Sequence, residues 1–242
     1  MDARRVFRLA TVAVVFAGTV SVAAAGAFTV TPVRIFMTPR DRAIALTITN
    51  EGDGELVIQA DINVWSQDAQ GKDKLELTED LILAPPIVKV APNSRQVVRL
   101  ALAKPADLSR QLTYRMIVRE VPEAVAPKQN TLQVPILLAL SLPVFITPPT
   151  AKPQLECHLA RKGVQAVDTV CTNAGNAYTQ VIEASLQRGD AVLAKVQPGM
   201  YILPGSAKTM ALKASADIAA GPARLKLLLD DGKTQFIDIA VP

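Results

Sequence analysis

Residues 56–64 read Leu-Val-Ile-Gln-Ala-Asp-Ile-Asn-Val, and their alternation decides the fold class. Leu56, Ile58, Ala60, Ile62 and Val64 fall on one side of an extended chain; Gln59, Asp61 and Asn63 fall on the other. Successive side chains of a strand point to opposite faces, so this is a strand with one face in a core and one in water. The same period recurs on both sides of it. Ile44, Leu46 and Ile48 alternate with Ala45 and Thr47, Val98, Leu100 and Leu102 with Arg99 and Ala101, and Leu112, Tyr114, Met116 and Val118 with Thr113, Arg115 and Ile117. Turn residues punctuate the runs, at Asn50-Glu51-Gly52-Asp53-Gly54, Gln70-Gly71-Lys72, Pro85-Pro86 and Pro92-Asn93-Ser94. The helical candidates are short, such as Pro105–Arg110. Regular short strands with such punctuation indicate an all-β chain built as a β-sandwich.

Composition narrows the function classes. The chain has 242 residues, 50% of them hydrophobic and 4% aromatic, which is too apolar for a disordered chain and ample for packed cores. The formal charge of +4 includes Asp2, Arg4, Arg5 and Arg8. Without that segment it is +2, weak support for nucleic-acid binding. One histidine, His158, is present, so any Ser-His-Asp or Cys-His mechanism must use it and a site with several histidines is excluded. No metal or other cofactor is indicated.

The first segment reads as a targeting signal, residues 1–27. Three arginines precede the apolar run Leu9–Val22, and Ala25-Gly26-Ala27 fits a small-residue cleavage site. The run is short for a spanning helix, and Phe28-Thr29-Val30 already starts a strand pattern. The expectation is an exported chain with no membrane span after cleavage. The two cysteines, Cys157 and Cys171, agree with export. An even pair in an oxidising compartment is normally a disulfide, and their spacing is no C-x-x-C. Gly163 between them allows a hairpin that brings their strands together.

A weak internal repeat points to two sandwiches. Thr49-Asn50-Glu51-Gly52 ends one strand and Thr172-Asn173-Ala174-Gly175 another; Ala91-Pro92-Asn93-Ser94 and Leu203-Pro204-Gly205-Ser206 each precede a strand. Between the halves, residues 147–153 hold three prolines, suited to a short stiff linker. The expected organisation is a first domain over 28–147, a linker over 148–152 and a second domain over 153–242.

Residues 132–146, LQVPILLALSLPVFI, are unusual. As one strand they exceed the common length of five or six residues and are apolar on both faces. Val134, Ile136, Leu138, Leu140, Leu142 and Val144 face one way; Leu137, Ala139, Ser141 and Phe145 face the other. Pro135 removes a ladder donor, which suits an edge or a bulge. A long apolar edge is an aggregation hazard unless something covers it. Its length and Pro135 favour a partner strand over burial in its own sandwich.

Several of these features together resemble the periplasmic pilus chaperones of the chaperone–usher pathway, in a divergent branch of the PapD-like superfamily. They are Thr31-Pro32-Val33-Arg34, Leu46–Asn50, Ala84-Pro85-Pro86-Ile87, Pro92, Gln96–Leu100, Tyr114-Arg115, Arg119-Glu120-Val121-Pro122 and the long strand. Their order and spacing carry the resemblance. It implies two immunoglobulin-like domains in an L-shaped arrangement with a cleft between them. It also implies that Val134, Ile136, Leu138, Leu140 and Leu142 complete the fold of a pilus subunit by strand addition, a mode in which main-chain bonds supply affinity and alternate side chains supply register. The implied partners are pilus subunits and an outer-membrane usher, in the periplasm. A self-capping dimer of the free chaperone is left open.

The resemblance further implies that basic residues hold the subunit's terminal carboxylate. Arg34 matches the first of these. The position of the second, a lysine, falls at or near Pro143, so Arg115 on the neighbouring strand is the best substitute. A glutamate of the family's interdomain salt bridge falls near Gln111, which puts that bridge in doubt. Arg99, Tyr114 and Glu120 match family positions and read as structural. The competing readings are a secreted structural pilin or adhesin, which would be one incomplete sandwich, and a hydrolase using His158, which lacks a nucleophile elbow or glycine-rich loop. The reading is therefore a non-enzymatic chaperone.

Overall fold

The computed structural model describes residues 28–107, 109–122 and 137–242. The expected signal segment and the site candidates Val134 and Ile136 lie outside them. Among the described residues every regular element is a strand, and those of 105–110 form no helix. Backbone hydrogen bonding there runs into turns instead, with the Ser109 amide donating to Asp107 Oδ1 at 2.8 Å.

The first half contributes β1 (Phe28–Thr31), β2 (Ile35–Met37), β3 (Ala43–Asn50), β4 (Leu56–Gln67), β5 (Asp73–Leu77), β6 (Leu81–Ala84), β7 (Ile87–Val90), β8 (Arg95–Leu102), β9 (Leu112–Val121) and β10 (Ala139–Ile146). They form two sheets, ordered β1-β3-β8-β6 and β2-β10-β9-β4-β5, with β7 also beside β4. The alternation sets which face is buried. Leu46 and Ile48 of β3 and Val98 and Leu100 of β8 meet Ile58, Ile62, Met116 and Val118 of the facing sheet. Each such side chain stabilises the fold by roughly 1.5–3 kcal/mol.

The second half contributes β11 (Leu155–Gly163), β12 (Ala166–Asn173), β13 (Thr179–Arg188), β14 (Ala191–Val196), β15 (Met200–Ile202), β16 (Ala207–Lys213), β17 (Gly221–Leu229) and β18 (Thr234–Val241). Their sheets are β11-β12-β16 and β14-β13-β17-β18, with β15 also beside β13. Val167, Val181, Leu186, Leu212, Leu225 and Leu227 fill the space between them. The chain is thus two immunoglobulin-like sandwiches. Cys157 and Cys171 face each other across the β11–β12 ladder and are bonded, with Cα atoms 4.1 Å apart.

The internal repeat is structural. Asn50 and Asn173 are both fully buried. Each side-chain oxygen accepts from the glycine amide two residues on, at 2.9 Å from Gly52 and 3.1 Å from Gly175. Each side-chain amide donates to the carbonyl four residues on, at 2.7 Å to Gly54 and 2.7 Å to Ala177. Each also crosses to a distant carbonyl, Val90 at 3.0 Å and Ile202 at 3.1 Å. Their backbone amides donate to Ser94 and Ser206, the serines of the two Pro-x-Ser turns. The residues between proline and serine, Asn93 and Gly205, both have positive φ, 51° and 73°. Asn and Gly are the residues that tolerate that conformation, so two different letters satisfy one backbone requirement.

Candidate functional site

Strand β10 runs through the site. Its side chains divide by parity. Leu142, Val144 and Ile146 are buried in the first sandwich, and Leu140 packs partly against the same core. The expectation that Leu142 faces a partner is corrected: at 6% exposure it belongs to the chain's own core. Phe145 points the other way and is fully buried against the second domain. The two apolar faces of this half of the strand are thus covered by two different bodies. Leu138, just before β10, is 37% exposed.

The backbone of β10 divides by the same parity. The Glu120 amide of β9 donates to the Leu138 carbonyl, and the Thr147 amide donates to Met37 of β2. Even-numbered residues therefore direct their polar backbone groups to β9, and odd-numbered residues direct theirs to the opposite side. On that side β2 pairs with residues 144–146 only. Among the described residues no strand pairs with Ala139, Ser141 or Pro143 there, so this stretch is a sheet edge. Pro143 sits where its missing N–H costs no bond to β9.

The second domain closes over Phe145. The Phe145 and Tyr178 rings stack with centroids 3.9 Å apart. Trp65 lies 6.1 Å from Phe145 and meets Tyr201 edge-on at 5.2 Å. Polar contacts fix the same junction. Gln67 donates to the Tyr201 carbonyl at 3.0 Å and accepts from the Leu203 amide at 3.0 Å. Lys208 pairs with Asp73 at 3.2 Å. Gly71, at φ 74°, lies so close that a Cβ would come within 2.4 Å of the Ala207 carbonyl oxygen. The composition puts little weight on aromatics, yet four of them meet here; nothing in their sequence spacing marks it.

Gln111 bridges the domains without charge. Its side-chain amide donates to Thr147 Oγ1 at 2.7 Å, its side-chain oxygen accepts from the Tyr178 amide at 2.8 Å, and its backbone amide donates to Asn176 at 2.9 Å. Where the resemblance implies a salt-bridging glutamate, the chain thus carries a neutral hydrogen-bonded link.

Arg34 and Arg115 both border this junction. Arg34 lies between β1 and β2 and pairs with Asp230, after β17, at 2.9 Å. Asp230 also accepts from the Tyr178 hydroxyl at 3.0 Å and the Gln180 amide at 3.3 Å. Burial and the neighbouring Asp230 carboxylate push the Tyr178 phenol well above its ordinary pKa. Arg115 stands opposite Pro143 in the ladder, with its guanidinium 3.8 Å above the Trp65 ring. It donates to the Ser141 carbonyl at 3.3 Å. Burial draws its pKa down, and the Tyr201 and Asp73 charges oppose that. The strand-pairing reasoning that selected Arg115 thus matches its register. Asp230, Tyr178, Tyr201 and Trp65 were not legible as site residues, because each reaches the cleft from a different element.

His158 is exposed on β11, opposite Val170. Among the described residues no group of three or more His, Cys, Asp or Glu side chains is placed to hold a metal, and no helix is long and apolar enough to cross a membrane. Tyr114 is buried and donates to Asp80 at 3.2 Å, a structural contact.

The model of the pili and flagellar-assembly chaperone family, PapD N-terminal domain, matches residues 27–152. The chain belongs to this family. Solved pilus chaperones share the fold across both domains. A chain of the CsuC–CsuE chaperone–tip adhesion subunit complex of Acinetobacter baumannii aligns with a TM-score of 0.64 at 19% identity, over 88% of this chain and 98% of that one. The CupB2 chaperone of Pseudomonas aeruginosa gives 0.57 at 19%, over 88% and 100%. A chain of the Salmonella enterica SafA pilin–SafB chaperone complex gives 0.57 at 14%, over 89% and 96%. Comparison with curated proteins gives no match. Pilus chaperones are a non-enzymatic class, and this chain is a pilus-assembly chaperone by family.

Proposed function

We propose that the chain captures pilus subunits in the periplasm by donor-strand complementation and delivers them to an outer-membrane usher. The reading divides the chain into a removed signal peptide (1–27), a capturing domain (28–147), a linker (148–152) and a second domain (153–242). The observation that carries it is the edge of β10. Ala139 and Ser141 offer unpaired strand positions beside a paired and buried segment, so a subunit strand has a rigid template to extend. In this reading Leu138 and Leu140, continued by Ile136 and Val134, present alternate apolar side chains to the subunit. Leu142 anchors the template in its own core. The subunit's chain-end carboxylate enters the cleft that Arg34 and Arg115 border. Guanidinium matches a carboxylate by two parallel hydrogen bonds.

The test is co-expression with a pilus subunit from the same genome. Leu138→Asp with Ile136→Asp should abolish co-purification of the subunit while the variant keeps the wild-type circular dichroism and melting temperature, because burying an unpaired charge costs several kcal/mol. Normal subunit yield with this variant sinks the strand-addition reading.

A further inference from the structure

The linker is held from outside. Pro148, Pro149 and Pro153 fix φ at their own positions but leave ψ free, so the prolines limit the direction of the chain without setting it. The turn before β13 sets it. The Asn176 and Ala177 amides both donate to the Lys152 carbonyl, at 3.0 and 3.3 Å. The approach at Gly175 is so close that a Cβ would come within 2.3 Å of the same carbonyl oxygen.

Asn176 joins three parts of the chain. Its side-chain oxygen accepts from the Lys152 amide at 2.8 Å, and its side-chain amide donates to the Ser109 carbonyl at 2.9 Å. Its backbone carbonyl accepts from the Gln111 amide at 2.9 Å. Lys152 is linker, Ser109 and Gln111 lead into β9 of the first domain, and Asn176 leads into β13 of the second. The aromatic contacts around Phe145 are largely non-directional and tolerate sliding; hydrogen bonds are directional and do not. Ser109, Lys152 and Asn176 lie outside both sandwich cores, so their bonds act on the joint and not on the packing of either domain.

We propose that Asn176 is a positioning residue that turns the linker into a fixed joint and holds the β10 edge and the second domain at the separation subunit capture requires. This rests on the capture reading above and adds to it a residue of the second domain that touches no subunit. Setting the cleft before the subunit arrives leaves less freedom to be lost on binding.

Amide hydrogen exchange in the full chain reads the joint and the cores separately. The Gln111 and Tyr178 amides bond across the joint, to Asn176 and to Gln111 Oε1. Met116 and Leu225 lie on strands flanked on both sides and report the two cores. Each lost side-chain bond shifts an opening equilibrium about fivefold. Asn176→Ala should therefore speed exchange at Gln111 and Tyr178 by about 25-fold and leave Met116 and Leu225 at wild-type rates. Asn176→Asp keeps the outline and the acceptor for Lys152 but turns a carboxylate oxygen to the Ser109 carbonyl, so it should speed the same two amides by at least about fivefold. Wild-type exchange at Gln111 and Tyr178 in both variants overturns the joint and leaves capture standing. The second arm is a competition, in which Asn176→Ala with Gln111→Ala and the wild type share a limiting pilus subunit diluted from urea. The double variant should be bound about tenfold less, because apparent affinity falls with the competent fraction. Equal sharing overturns the role of the joint in capture. A wild type that takes up no subunit overturns the capture reading itself, and the exchange result stands without it.

Discussion

Replacing Asn173 with alanine tests the reading that one buried asparagine organises each sandwich. Its side chain donates to Ala177 at 2.7 Å and Ile202 at 3.1 Å, and accepts from Gln154 at 3.1 Å and Gly175 at 3.1 Å. At about 1 kcal/mol net for each bond, the variant loses about 4 kcal/mol. Ala177 and Ile202 are themselves buried, so water does not readily replace the lost donors at their carbonyls. A domain has on the order of 5–15 kcal/mol of stability in total. With a urea slope of about 2 kcal/mol/M, the midpoint of second-domain unfolding should fall by about 2 M at unchanged slope. Asn173→Asp is the sharper control. It keeps the acceptor but aims a carboxylate oxygen at two carbonyls, which raises its folded-state pKa. That penalty is present above the raised pKa and is relieved as pH falls through it, so this variant should gain stability relative to wild type on acidification. Asn50→Ala should show the same loss in the first domain. A loss under about 1 kcal/mol at Asn173, the level of a single net hydrogen bond, would refute the shared role.

Other consequences are open to direct measurement. Reducing the Cys157–Cys171 bond, which spans 14 residues, should cost about 3 kcal/mol in the chain-entropy treatment, read as a lower urea midpoint in dithiothreitol; an unchanged midpoint contradicts it. Gly71→Val should separate the domains locally without unfolding either, because its Cβ meets the Ala207 carbonyl. Trp65 is the chain's one tryptophan and sits at that junction, so its emission should shift to the red; emission that stays at the wild-type wavelength would show that the hairpin tip moves aside. Asp80 is held below the usual carboxylate pKa first by Lys104, 2.6 Å away, against a smaller opposing effect of burial. Its folded pKa is depressed, so its contribution is present above the unfolded value of about 3.9 and is lost as pH falls below it. The advantage of wild type over Asp80→Asn should accordingly shrink below about pH 4, and a constant difference would argue against the pair.

The sequence by itself determined what depends on neighbours along the chain. Alternation at Leu56–Val64 and Leu112–Val118 decided strand and buried face, because period two is a local property of extended backbone. The Asn-x-Gly and Pro-x-Ser repeat announced two related domains, since each motif satisfies its own turn. Gly163 between two cysteines announced their pairing, because a hairpin opposes residues at equal distance from its turn. Parity alone did not say where one apolar face of residues 132–146 would end and another begin. Only the tertiary structure decided that Leu142 lies in the first core while Phe145, three residues on, lies under Tyr178 of the second domain. The same holds for Asp230, which reaches Arg34 across 196 positions of chain. A charge pair at that separation leaves no local pattern, because its energy depends on how two domains dock and not on the spacing of either residue from its neighbours.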